Sequence, residues 1–155
     1  MHILAAALCI GIIAGLRTFT APAAVSWGVR FGRVALAGTH LAFMGSIITA
    51  SIFTLLALAE IVAIDPSPKT PSRKGPRGFG ARIVSGGFSG AVLGASGDSL
   101  WLGLLLGVVG AVIGTYGGAA FRGRLAVAFG KDLPAAITED VVAIVGAILI
   151  IAYLA

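Results

Sequence analysis

Charge is scarce in this chain, and so are most of the residue types on which soluble catalysis is built. Charged residues make up 11% of its 155 positions, only six of them acidic, and there are two histidines and one cysteine. The single cysteine, Cys9, excludes an intrachain disulfide and any multi-cysteine metal site, and its place inside an apolar run marks it as packing. His2 and His40 lie far apart in sequence, a poor arrangement for a metal pair or a catalytic histidine. No Ser-His-Asp set, Walker loop or zincin pattern occurs. Neither catalytic residues nor a metal or organic cofactor is expected, and enzyme activity has little direct support. The alternation of apolar and polar residues over about ten positions that marks an outer-membrane barrel is missing too.

What the chain has in abundance is apolar surface. Hydrophobic residues reach 58%, and the mean hydropathy is +1.05, too high for a soluble domain of ordinary composition. Its 23 glycines would weaken helices in water. In a bilayer, small residues let backbones approach where packing has to replace the hydrophobic drive. These features predict one all-α integral membrane domain over residues 1–155, a compact bundle of about six transmembrane helices with glycine-rich packing. The net charge of +5 sits at the ends of apolar runs, where it suits anionic headgroups. With no recognition helix or aromatic platform beside it, nucleic-acid binding is not expected.

Six apolar segments are legible: Ile3 to Leu16, Phe19 to Val29 or a little beyond, Leu41 to Ile64, Ile83 to Gly97, Ser99 to Phe121 and Ala135 to Ala155. The third, fifth and sixth are long enough to span alone. The first resembles a signal h-region followed by Ala21-Pro22-Ala23, but no Lys or Arg precedes it and Arg17 interrupts the approach, so it is expected to be retained. Leu41 to Ile64 is about 36 Å long as a helix, against a hydrocarbon core of about 30 Å. Glu60 is its only charge. The prolines of Asp65-Pro-Ser-Pro-Lys-Thr-Pro-Ser-Arg-Lys-Gly-Pro-Arg77 cannot continue that helix.

Charge sets an expected orientation. Lys69, Arg73, Lys74, Arg77 and Arg82 flank one connection, and Arg122, Arg124 and Lys131 lie in another two spans later. The positive-inside rule puts both, Asp65 to Arg82 and Arg122 to Lys131, in the cytoplasm of a bacterial inner membrane, with the Ala95-Ser-Gly-Asp98 turn and the C-terminus outside. If residues 1–29 formed one span, Arg17 would lie near the bilayer centre, at about 2.5 to over 10 kcal/mol unless paired. Two short helices place it at a cytoplasmic turn instead. They also put Arg30 and Arg33 outside, a mild departure from the rule. Gly103, Gly107, Gly110, Gly114 and Gly117 form one stripe that makes the fifth helix central, and Gly86, Gly90 and Gly94 add a small-residue ridge on the fourth.

In this topology Glu60, near the end of the third helix, and Glu139 and Asp140, near the start of the antiparallel sixth, share one depth with Arg17 and Arg82. Buried ions persist when paired, so these five residues form a candidate polar site. Glu139 and Asp140 are about 100° apart on a helix, so at most one of them is expected to point squarely into the bundle. The echo of Glu60-Ile-Val-Ala-Ile64 in Asp140-Val-Val-Ala-Ile144 selects Asp140. Ser46 and Thr49 approximately continue the helix face of Glu60. The alternative for Arg17 and Arg82 is interfacial anchoring by snorkelling.

Gly15-Leu-Arg-Thr-Phe-Thr-Ala-Pro-Ala-Ala24, Glu60 with Asp65-Pro-Ser-Pro-Lys-Thr-Pro-Ser-Arg73, Ala81-Arg82 with Ser85-Gly86, and Ala136-Ile-Thr-Glu-Asp140 span nearly the whole chain. Together they resemble the small bacterial membrane proteins grouped as domain of unknown function 4126. Where that family has an Asp-Lys-x-Pro element, Pro66 here replaces the lysine. The resemblance implies a multi-pass membrane protein and brings no established activity. The function expected first is a small transporter or channel, a homo-oligomer with the charged cluster as its binding or gating point. The alternative is a non-transporting scaffold or assembly factor, with Lys69, Arg73, Lys74 and Arg77 meeting anionic lipid or a partner protein.

Overall fold

Turns form where the apolar runs meet capping residues, glycine or a buried charge. The computed structural model describes residues 3–36, 38–64 and 75–154, and the regular structure among them is entirely helical. Helices α1 (Ile3–Leu16) and α2 (Thr20–Arg30) are joined by Arg17-Thr18-Phe19. A 3-10 segment, His40–Gly45, leads into α3 (Ile47–Ala59), which continues as a π-helical turn, Glu60–Ile64. Helices α4 (Pro76–Ala95), α5 (Leu100–Phe129) and α6 (Asp132–Ala152) complete the order.

Several boundaries differ from the sequence expectation. The third apolar run is not one helix from Leu41, because Ser46 breaks it. Its backbone is extended, and its hydroxyl accepts the Thr49 N–H as an N-cap while bonding the Thr49 hydroxyl. Those two residues therefore build the start of α3, with Ser46 as its cap rather than part of a longer helix. Among the described residues, only α5 and α6 are long and apolar enough to cross a membrane alone. Helix α4 starts at Pro76, well before Ile83, since proline suits a first helical turn. Arg77 and Arg82 thus lie on a helix; Lys69, Arg73 and Lys74 fall outside the described residues. The proposed basic loop from Arg122 to Lys131 is mostly helix. Arg122 and Arg124 continue α5, which stops only where Gly130 adopts φ 65°.

Glycine decides the packing around α5, against which α1 and α4 lie closest. A Cβ on Gly90 would lie 2.8 Å from the Gly107 Cα, and one on Gly15 would lie 2.6 Å from the Thr115 nitrogen. The expected stripe holds for Gly103, Gly107, Gly110 and Gly114 but not for Gly117, which is exposed with nothing near it. Gly118 takes its place, against Leu16 and Glu139.

Contacts at the helix ends fix their directions. Ile3 touches Gly97 in the α4–α5 turn, and Gly28, near the end of α2, meets Ile151, near the end of α6. Arg17 reaches Asp140 at the opposite end. Helices α1 and α2 therefore run out and back as a hairpin, with Arg17 at its tip. The surface inverts the usual order of a soluble bundle. On α6 the buried residues are Ala135, Ala136, Glu139, Ala143, Ala147 and Ile151, whereas Val141, Val145, Ile148 and Leu149 face outward. Helix α3 exposes Ile48, Ile52, Leu55 and Leu58 in the same way.

Candidate functional site

The hairpin tip interrupts two helices inside the protein, leaving donors at the start of α2 and acceptors at the end of α1 that need partners. Side chains from α4 and the junction of α3 with its π turn supply them. The Thr18 N–H donates to Glu60 Oε1 at 2.9 Å and the Phe19 N–H to Oε2 at 3.0 Å, so both oxygens of one carboxylate are engaged. Arg82 Nε donates to the Gly15 carbonyl at 3.1 Å and Nη1 to the Gly78 carbonyl at 3.1 Å. The Ser85 hydroxyl donates to the Thr18 carbonyl. A carboxylate thus sits at the positive end of α2 and a guanidinium at the negative end of α1, the favourable sense at each. Arg82 Nη2 lies 3.9 Å from Glu60 Oε1, which links the two caps as an ion pair.

Arg17 extends the network to α6, with Nε 2.5 Å from Asp140 Oδ1. Arg122, near the end of α5, completes it. Its Nε and Nη2 form a two-pronged pair with Asp132, at 3.0 and 2.6 Å, and Nη1 lies 3.5 Å from Glu139 Oε2. Arg17, Glu60, Arg82 and Glu139 are 2%, 6%, 8% and 1% exposed, so the centre of this charged layer is buried, while the Asp132 side chain, 65% exposed, lies at its rim. Three arginines face four carboxylates from α3's end, α4, α5, α6 and the hairpin.

All five residues expected at the polar site lie in this layer. The choice of Asp140 over Glu139 needs correction, since both carboxylates are engaged and Glu139 is the more deeply buried. Its position was legible in the spacing Ala135, Glu139, Ala143, Ala147, which puts it on the small-residue face that packs inward. Arg122 and Asp132 were missed as members of the layer. Arg122 follows Gly118 by four residues and so shares the inward face of α5, a signal hidden when a span is ended at its first charge. Arg77 is exposed at the start of α4. His40 is exposed, and no group of three or more His, Cys, Asp or Glu side chains able to hold a metal occurs among the described residues.

A cavity of about 310 Å³ adjoins the layer, lined by Ile61, Arg122, Asp132, Leu133, Ala136, Ile137 and Asp140. Comparison of the chain with protein-family models, curated proteins and solved structures finds no match.

Proposed function

We propose that this chain is a multi-pass membrane protein of about six helices in which the charged layer is a fixed structural clasp, and that it serves as a non-transporting scaffold in the bacterial inner membrane. Membrane residence is supported by the inverted bundle, with glycine and alanine inside and isoleucine, leucine and valine outside, and by the apolar length of α5 and α6. Helices α1 and α2, of 14 and 11 residues, reach only about 21 and 16 Å. Their hairpin tip then lies within the cytoplasmic leaflet, where irregular backbone persists only when protein surrounds it. Likeness to domain of unknown function 4126 belongs to the same proposal.

The observation that carries the scaffold reading is the state of Glu60. Both its oxygens hold backbone amides and it faces Arg82, so proton or cation exchange there would dismantle a helix end. In this reading the basic connection before α4, with Lys69, Arg73, Lys74 and Arg77, lies against anionic headgroups on the cytoplasmic face. The cavity beside Asp140 favours the other reading, a solute or ion site entered from the cytoplasm. Flux assays on protein reconstituted into vesicles separate the two. The scaffold predicts no flux over a broad panel of ions and metabolites, and loss of folded protein in Glu60→Gln. Flux that stops in a folded Glu60→Gln variant establishes transport instead.

A further inference from the structure

Helices α3 and α6 both pack on α2 yet hardly touch each other. The gap between them is a groove along α2. Two adjoining cavities make it up, of about 330 and 370 Å³, which share Ala24, Trp27 and Ile148 in their walls. It runs from Thr20, one turn from the charged layer, to Phe31 and Arg33 at the opposite end of the bundle. The Trp27 indole is fixed by a 3.0 Å hydrogen bond to the Thr54 hydroxyl and by stacking on Phe31, so the wall is pre-formed.

We propose that this groove holds one acyl chain of an anionic phospholipid whose phosphate meets Arg33. The proposal rests on the membrane reading above. From Thr20 to Phe31 the groove is about 16 Å long, close to the roughly 15 Å depth of one leaflet. Over that length the two volumes correspond to a channel at least about 7 Å across, with room for an extended alkyl chain. Charge complementarity names the headgroup. Arg33 lines the mouth, Arg30 ends α2 nearby, and among the described residues neither has an ion-pair partner. Both depart from the positive-inside rule, and a bound phosphate on that side accounts for their being there.

Native mass spectrometry of the delipidated full chain in detergent, titrated with phosphatidylglycerol or phosphatidylcholine, tests this directly. One phosphatidylglycerol should bind about fivefold more tightly than phosphatidylcholine, the gain expected from one basic contact. Arg33→Gln should erase that preference and Arg33→Lys restore it, while Ala24→Leu, which narrows the groove, should weaken both lipids. Equal binding of the two lipids to the unaltered chain would overturn the proposal, as would a preference that survives Arg33→Gln. So would a preference lost only when Lys69, Arg73, Lys74 and Arg77 are changed to glutamine, because that puts the phosphate at the other end. Dimerisation that depends on Ala24 without lipid binding would assign the groove to a second copy. Detergent phase partitioning of the same sample separates the premises. Recovery in the aqueous phase removes the membrane reading itself, whereas recovery in detergent without lipid preference removes only the groove site.

Discussion

The two ends of the bundle solve the same problem with different chemistry. At one end the α4–α5 turn closes on itself. The Ser96 hydroxyl donates to the Leu93 carbonyl at 2.7 Å, the Ser99 N–H to the Gly94 carbonyl at 2.9 Å, and Asp98 takes a positive φ of 55°. At the other end the α1–α2 turn does little of this for itself. Its amides and carbonyls are held by Glu60, Arg82 and Ser85, and its arginine by Asp140. A turn that closes locally depends on its own few residues. A turn held from outside couples all the helices that reach it, so damage there should propagate through the bundle.

The largest expected effect tests that coupling. Arg17→Leu should remove the guanidinium that faces Asp140, and Glu60→Leu should strand two amides and remove the carboxylate that faces Arg82, each at about 3–5 kcal/mol, the usual scale for breaking a buried ion pair. Both should show as loss of monodisperse protein on extraction. If instead either variant melts within a degree or two of the unaltered chain, the layer is not a clasp. The paired replacement of Arg17 and Asp140 by apolar residues should recover much of the loss, because no lone charge remains.

Next comes the glycine contact between the ends. Gly107→Ala puts a methyl group onto the Gly86 backbone and should destabilise by about 1–3 kcal/mol through overpacking. Gly117→Ala, on the same helix but facing open space, should be neutral or raise stability by up to about 1 kcal/mol through helix propensity. Thermal unfolding in one detergent ranks the pair. Equal effects would mean that the interior is looser than these contacts require.

The smallest effects belong to the self-closed turn. Ser96→Ala should lose about 1 kcal/mol or less, the net value of one hydrogen bond. Asp98→Gly should be neutral or slightly stabilising, since glycine adopts a positive φ without strain. A melting shift at either position as large as that of Arg17→Leu would erase the distinction between the ends.

Much of this design is legible in the sequence. Hydropathy marks α1 from Ile3 to Leu16, and the unfavourable placement of Arg17 inside a single long span points to a turn there. Depth counting brings Glu60 level with Asp140. What hydropathy does not carry is where a helix stops once charge appears. Helix α5 continues through Arg122 because nothing ends it before Gly130, and that continuation brings Arg122 to Asp132 and Glu139. The break at Ser46 is hidden for the opposite reason. It lies in an apolar run with no proline, and only its capping chemistry with Thr49 reveals it. The hold of Glu60 on Thr18 and Phe19 uses backbone amides, which have no letter in a sequence.

The inverted packing of α6 should leave a signature in a saturation-mutagenesis library. Val141, Val145, Ile148 and Leu149 lie on its outer face, so exchanges among aliphatic residues there should be nearly silent. Ala143 and Ala147 have 0% and 1% exposure and no room to enlarge, so almost every change at them should be selected against. Tolerance along the helix would then rise and fall with a period close to four, and its minima would trace the protein's inside without any structure in hand.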